Sequence, residues 1–556
     1  MTVCIKTNVL IVGAGPSGMT AALALARFGV SCMVIDKREA NYPEPRAHAL
    51  NSRTLEIFSA LGINIEELKA RATPREDSCW VRFADTLTGG EYGKLPYERM
   101  LESDDLPTPW PLFNIAQPAA EAVLQESIER EPAVQVLRPR EWLSCEQRAD
   151  GVVSVVVDEK DKEQHIHSRY LIAADGAGSP VRESQGIAMQ GMGIVHDFIT
   201  IHFKADLSEL VKDNPAILYW ILNQTCHGTL IAYNIRDSWV FMYPYDAVDT
   251  PKSTFTPAYC TELLHHVIGR SDIELEILSI GDWVLGSQVA EAYRKENIFL
   301  VGDAAHRYPP SGGLGLNTGV GDAHNLAWKL AGVLKGWAWP QLLNGYHDER
   351  EHVAQINAAF STENAGKLFS VMIGTGTLMP PGKQPTFEEL RADTARWAEI
   401  QQSIEDQRDH FDGLALQIGQ HYGRKNAPDL RAEDFQFSDE GARFPHTWLT
   451  IEAQRASSLE LLSATHFTLI ARSDSPLPAF ESEVPFQVKI QDQDFSAEAE
   501  SLEAMGMDEA RLVIVRPDGH IAARITQDTI GAADLGDALS HAVAKFVAFD
   551  VISHIA

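Results

Sequence analysis

The chain has 556 residues, 45% hydrophobic and 22% charged, the balance of a globular enzyme rather than a disordered or fibrous protein. A formal net charge of −30 and a pI of about 5.0 argue against nucleic acid or an anionic membrane surface as partner. At roughly 150 residues per domain, three or four domains are expected.

Residues 8–12 form a short apolar run suited to a buried parallel strand. It leads into Gly13-Ala14-Gly15-Pro16-Ser17-Gly18, then a helix-forming stretch to Phe28, then a second strand over 30–35 ending at Asp36. This is a βαβ unit with an acidic residue at its far end. Gly13 makes the tight turn, Gly15 lets the backbone approach a pyrophosphate, and Gly18 lets the helix pack on the sheet. The helix N-terminus favours phosphate charge, and Asp36, followed by Lys37, suits a ribose diol. The bland alternative is a glycine-rich turn in an unrelated α/β domain. The motif alone does not separate FAD from NAD.

No signal peptide is expected, because cleavage after the first apolar run would destroy the glycine turn. No apolar run approaches the roughly 20 residues that span a bilayer. The six cysteines (4, 32, 79, 145, 226 and 260) show no CxxC pair or zinc spacing, so free thiols in a reducing cytoplasm are expected and no metal. His265-His266 read as helix residues rather than ligands.

A strand over 169–174 ends in Asp175-Gly176-Ala177-Gly178, and another over 297–301 ends in Gly302-Asp303-Ala304-Ala305-His306-Arg307. The loop continues through Tyr308-Pro309-Pro310-Ser311-Gly312-Gly313-Leu314-Gly315-Leu316-Asn317 to a helix expected over 319–334. Asp303 can bond a ribityl hydroxyl, and amides at the helix start can stabilise negative charge on a reduced flavin. Asn317 offers the donor and acceptor that a pyrimidine ring needs.

In order and spacing, the glycine turn, the DG pair and the GD pair resemble the class A, single-component FAD-dependent aromatic hydroxylases, the family of phenol and 4-hydroxybenzoate hydroxylases. The resemblance implies an α/β fold: a discontinuous Rossmann-like FAD-binding domain (1–75, 110–185, 284–365) and an inserted, mainly β substrate domain (76–109, 186–283). A helical linker region (366–440) and a thioredoxin-like domain (441–556) follow. Strands are read near 198–203, 216–222, 229–235, 239–243, 468–471, 486–490, 512–515 and 521–525, with a final helix from about 535. The turn Arg516-Pro517-Asp518-Gly519-His520 reads as a hairpin. With every cysteine before position 261, the last domain cannot do dithiol chemistry, so a structural role or homo-oligomer contacts are expected of it.

The resemblance also implies FAD as cofactor, NADPH or NADH as electron donor, O2 and an aromatic compound as substrates, and oxygen transfer from a flavin C4a-hydroperoxide. It places Arg46 near the cofactor or its donor, Gln117 at the ribityl chain, and the backbone of Pro310 beside the reacting carbon. His306 and Arg307 fall only in the flavin neighbourhood. His48 stands where phenol hydroxylases carry an aspartate, and is the candidate base that favours the phenolate. Its other reading is a hydrogen-bonded histidine without catalytic duty. Tyr219, Trp220, Tyr233 and Tyr243 are candidate substrate-lining residues, or sheet-core aromatics. Epoxidation or Baeyer–Villiger oxidation of a polyketide, and a flavin-binding regulator without turnover, are the rival functions. Trp337-Ala338-Trp339-Pro340 resembles a flavin halogenase signature but lacks its isoleucine, and reads as a helix end closed by aromatic packing.

Overall fold

The computed structural model describes residues 4–526 apart from 42, 43, 46, 103–105, 224, 381, 425, 431–434, 476–479, 482 and 483, together with 552 and 553. Arg46 and the helix expected from about residue 535 lie outside the described residues.

The strand Cys4–Val12 pairs in parallel with Glu163–Ala173 on one side and Cys32–Ile35 on the other. The sheet continues in parallel to Ile298–Leu300 at one side and Val134–Leu137 at the other. Val9, Leu10, Ile11, Leu171, Ile172 and Phe299 are fully buried. That explains why these strands read as continuous apolar runs: a parallel sheet is covered on both faces. The three strands carrying the glycine turn, the DG pair and the GD pair are immediate neighbours, and all three motifs leave from their C-terminal ends. Open α/β sheets bind ligands at that edge.

A second eight-stranded sheet runs His306–Arg307, Glu276–Ala290, Met189–Lys204, Ser238–Tyr245, His227–Asn234, Leu218–Leu222, Trp80–Ala84, Glu91–Pro96. It is antiparallel except where Leu218–Leu222 meets Trp80–Ala84. The helix Pro257–Ile268, which carries His265 and His266, packs on one face through Leu263, Leu264 and Val267. The opposite face packs against Ala49, Leu112, Val371, Met372, Ile400 and Ile404. It therefore looks toward the first domain, the long helix Gly345–Thr375 and the helix Thr394–Glu405. His306–Arg307, two residues after the GD pair, is itself the edge strand, so the chain runs from the GD motif straight into the second sheet.

The last domain holds Phe486–Ile490, Phe467–Ala471, Ala510–Val515 and Ile521–Thr526 in that order, the first pair parallel and the others antiparallel. The expected hairpin at 516–520 turns inward. The Asp518 carbonyl accepts from Arg53 Nη2 at 2.7 Å, and its carboxylate accepts from Trp328 Nε1 at 3.1 Å. Arg516 pairs with Glu349 at 2.7 Å, and Arg443 chelates Glu56 through Nε at 2.9 Å and through Nη2. Trp337 stacks on Trp328 and meets Phe467 edge-on, which closes the end of the helix Leu314–Lys335. All six cysteines are free. Among the described residues no helix is long and apolar enough to cross a membrane.

Candidate active site

The three glycines of the first turn do three different things. A Cβ on Gly13, whose φ is +106°, would stand 2.1 Å from the Ala174 carbonyl oxygen, so this turn packs directly on the DG strand. A Cβ on Gly18 would strike the Gly13 oxygen at 2.0 Å. On Gly15 it would meet no atom within 4 Å. Gly13 and Gly18 are therefore required by the protein itself, whereas Gly15 borders open space at the N-terminus of the helix Pro16–Arg27, as close approach of a pyrophosphate requires.

Asp36 accepts from the Ala14 amide at 2.9 Å and from Arg38. Burial works against its ionisation, but the Arg38 guanidinium and the Ala14 and Arg38 amides prevail and hold the carboxyl below its usual range. Lys37 is exposed. Arg138, which sequence reasoning missed, donates to the Ala14 carbonyl at 2.9 Å and so reaches the same turn from the neighbouring strand end. Its signal was only a basic residue after an apolar strand. Asp175 Oδ2 accepts from Val181 N at 3.1 Å, while its buried Oδ1 has no partner among the described residues. Burial pushes this carboxyl pKa up.

Gly302 and Gly319 both press on Ser17, where a Cβ would come within 2.5 and 2.2 Å of Oγ. The GD pair thus locks onto the first helix. Asp322 anchors this corner, accepting from Gly302 N at 3.1 Å, His306 Nε2 at 2.8 Å and Arg350 Nε at 2.8 Å. His306 stacks on Tyr308, and Arg307 bonds Gln288. These residues brace the loop. Asp303 and Pro310 are exposed on it, and the Pro310 carbonyl accepts from Gly313 N at 2.9 Å.

The helix starts at Leu314, five residues earlier than the pattern suggested, because Gly312 and Gly313 take left-handed φ values of +93° and +62° and turn the chain at once. Gly315 and Leu316 therefore lie in the first turn, where N–H groups have no helical partner. The side chain of Asn317 is engaged on both sides. Its side-chain oxygen accepts from Asn51 N at 3.0 Å and Thr54 Oγ1 at 2.7 Å, and its nitrogen donates to the carbonyls of Ala49 and Gly313. Both of its donors and both of its acceptor positions are used within the protein. The side chain ties segment 49–54 to the loop that precedes its helix.

That tie positions His48. The strand pair Ala49–Leu50 and Phe113–Asn114 brings His48 beside Asn114, whose side-chain oxygen lies 3.1 Å from Nδ1. The Asn114 amide nitrogen points at Met100 Sδ, 3.5 Å away, which orients the amide with its oxygen toward the imidazole. Nδ1 then carries the hydrogen, and Nε2 keeps a lone pair with no partner among the described residues. Burial pushes the imidazole pKa down, outweighing the Asn114 bond. Tyr97 and Tyr233 flank the ring, each at 6.3 Å between centroids, and Tyr233 Oη donates to the Ala47 carbonyl. Gln117 begins the helix Gln117–Glu129, donates its backbone N–H to Ala47 O, and turns its side-chain amide to Glu121 at 2.7 Å.

Of the four aromatic candidates, Trp220 and Tyr233 face this side of the sheet, whereas Tyr219 and Tyr243 do not. Tyr219 is fully buried against Trp239 and accepts from Ala216 N; Tyr243 packs on Phe255. Side chains alternate along a strand, so neighbouring residues 219 and 220 point to opposite faces. Tyr97 was missed. It follows the strand Glu91–Pro96 and is delivered by a turn in which Glu98 and Arg99 both take positive φ, a conformation that no sequence pattern announces.

A family model described as "FAD binding domain" matches residues 6–361, and one described as "Aromatic-ring hydroxylase, C-terminal" matches residues 438–545. The chain belongs to the FAD-dependent aromatic-ring hydroxylases. It is 29% identical to the 2,4-dichlorophenol 6-monooxygenase of Cupriavidus pinatubonensis over 97% of its own length and 96% of the relative's. The tetracenomycin A2 monooxygenase-dioxygenase of Streptomyces glaucescens is 33% identical over 62% of this chain and 65% of its own. Among solved structures, the flavin-dependent monooxygenase PieE with FAD and substrate superposes at a TM-score of 0.86, with 28% identity, over 97% of this chain and 99% of that one. Aklavinone-11 hydroxylase with FAD and aklavinone gives 0.80 at 25% identity, covering 97% and 98%. The protein is therefore an FAD-dependent monooxygenase, and this hydroxylase binds FAD.

Proposed function

We propose that this hydroxylase adds one oxygen atom from O2 to a phenolic ring, with NAD(P)H as reductant and His48 as the base that favours the phenolate. One observation carries the reading: the uncommitted Nε2 of His48 stands where the flavin-end loop, through Asn317 and Ala49, meets the sheet face bearing Tyr97 and Tyr233. Two similar proteins named 2,4-dichlorophenol 6-monooxygenase and one named 4-methyl-5-nitrocatechol 5-monooxygenase support a phenolic substrate.

When bound, FAD would supply the redox chemistry by which two electrons from NAD(P)H and a proton reduce O2, one oxygen atom going to the ring and the other leaving as water. The chain's own residues do the rest. Gly15 and the N-terminus of the helix Pro16–Arg27 would hold the pyrophosphate, with Asp36 and Lys37 at the ribose and Arg138 bracing the turn. Asp303 and Gln117 would hold the ribityl chain, and the amides of Gly315 and Leu316 the pyrimidine edge. The loop at Pro310 would border the reacting carbon. His48 accepts the phenol proton at Nε2, which enriches the ring in electrons at the ortho and para carbons. Tyr97, Trp220 and Tyr233 wall the ring and exclude water.

The test is NAD(P)H consumption by the FAD-loaded protein in the presence of phenol, chlorophenols, hydroxybenzoates and polycyclic phenols, with the product mass followed. Gain of one oxygen with stimulated consumption supports the reading; a panel that stimulates nothing ends it. A polycyclic phenol of the polyketide kind is the second reading, favoured by the likeness to aklavinone-11 hydroxylase across nearly the whole chain.

A further inference from the structure

Two consecutive residues that are not glycine, Glu98 and Arg99, take left-handed φ values of +47° and +54°. Such backbone is unfavourable for a residue with a side chain and persists only where the surroundings over-determine it. The turn they make has an inner and an outer side. On the inner side, Tyr97 flanks the His48 ring. Met100 Sδ accepts from the Asn114 amide at 3.5 Å, the contact that turns the Asn114 oxygen toward the imidazole. The residue that borders His48 and the residue that orients its partner are thus the first and last of one strained turn.

On the outer side, one short segment, residues 411–417, grips the turn. The Phe411 carbonyl accepts from the Glu98 amide at 2.6 Å. Buried Glu98 accepts at Oε2 from Gly413 N at 3.2 Å and from Gln417 Nε2 at 2.9 Å. Arg99 Nε donates to both oxygens of Asp412, at 2.9 and 3.0 Å. Gln417 is fixed at its other end as well, since its Oε1 accepts from Ser52 N at 3.3 Å. Ser52 opens the helix Ser52–Ala60, just beyond His48 in the chain. His48 is therefore held from two directions, through Met100 and Asn114 and through Gln417 and Ser52, and the two paths meet at Glu98.

We propose that Glu98 is a positioning residue for His48: its bonds to segment 411–417 keep the strained turn in place, and the turn keeps Asn114 oriented so that Nε2 is the nitrogen left free. Glu98 acts through Met100 and Asn114 and moves no proton of its own. The order of the parts follows from the geometry. Without the grip on Glu98 and Arg99 the left-handed backbone relaxes, Met100 leaves the Asn114 nitrogen, and the Asn114 amide can turn over and offer a donor to the imidazole instead of an acceptor. Segment 411–417, expected from the sequence only to link two domains, is then a working part of the site. The proposal rests on the reading of His48 as base and adds what fixes its tautomer.

The experiment is NMR of the FAD-loaded enzyme carrying isotope-labelled histidine, at a pH above the value of about 7 to which burial pushes the Glu98 carboxyl. The His48 signals are those missing from His48→Gln, and their chemical shifts report which ring nitrogen carries the hydrogen. The wild type is expected to hold it on Nδ1 alone. In Glu98→Ala a second population with the hydrogen on Nε2 should appear, and kcat/KM should fall about 10-fold, a fraction of the worth of the base itself, with FAD still bound. Both side-chain bonds of Glu98 go to one oxygen, so Glu98→Gln can keep them and should restore the single tautomer and most of kcat/KM. Gln417→Leu cuts the same path further along and decides the matter if Glu98→Ala does not fold. Variants that lose only Tm, with tautomer and kcat/KM as in the wild type, overturn the proposal, as does a Glu98→Gln enzyme no better than Glu98→Ala. A tautomer that shifts as expected in an enzyme whose NAD(P)H consumption no phenol stimulates would instead overturn the phenolic reading and leave the positioning role standing.

Discussion

His48 Nδ1 lies 3.1 Å from the side-chain oxygen of Asn114, and that bond decides which imidazole nitrogen can act as base. Replacing His48 with Gln should lower kcat/KM by about 10²–10⁴-fold, the usual worth of a general base, with little loss of bound FAD. Replacing Asn114 with Leu frees the tautomer and should lower kcat/KM less, leaving KM nearly unchanged. Stopped-flow and steady-state kinetics on both variants check this.

The same imidazole sets a pH dependence. Burial lowers its pKa below the ordinary value of 6.5. The neutral ring is the base, so kcat/KM should be flat through neutrality and fall as pH drops through that lowered pKa. The acid limb should vanish in His48→Gln. A limb centred above 6.5 that survives the substitution would assign the titration to another group.

Gly13 and Gly15 should respond oppositely to alanine. Gly13→Ala meets a carbonyl at 2.1 Å and a positive φ, so it should destabilise the fold itself by roughly 2–4 kcal/mol. Gly15→Ala meets nothing in the protein, so apoprotein stability should change by less than about 0.5 kcal/mol. Its FAD affinity should nonetheless fall at least 10-fold. Denaturant melts of apoprotein beside FAD titrations separate the two.

Asn317→Ala removes both partners of segment 49–54 and strands four backbone or hydroxyl groups. A loss of about 2–4 kcal/mol is expected, visible in apoprotein melts. A variant that melts normally and fails only in flavin chemistry would restore the residue to a ring-binding role.

The two faces of the substrate sheet give a paired test. Tyr233→Phe should change KM for the aromatic substrate. Tyr219→Phe should leave KM alone and cost about 1 kcal/mol of stability, since the Ala216 amide loses its acceptor.

The cofactor edge was legible in the sequence because its demands are local. A tight turn, a close approach and a helix start each need a glycine within a few residues of the next. The second sheet was legible as strands but not as faces: residues 219 and 220 read alike, and only the surrounding elements decide which of them joins the cluster of Ala49, Tyr97 and Tyr233. The bonds of Asn317 were illegible for a different reason. Its partners at 49, 51 and 54 are more than 260 residues away, and no spacing rule links them.

The alternation of that sheet has a practical consequence. Trp220, Tyr233 and Met242 share one side, while Tyr219, Ala232 and Phe241 fill the other with the helix Pro257–Ile268. Ile231, Tyr233 and Val240 on the first side are themselves buried, so a library confined to the half-buried Trp220 and Met242 would vary that wall at least cost to the fold.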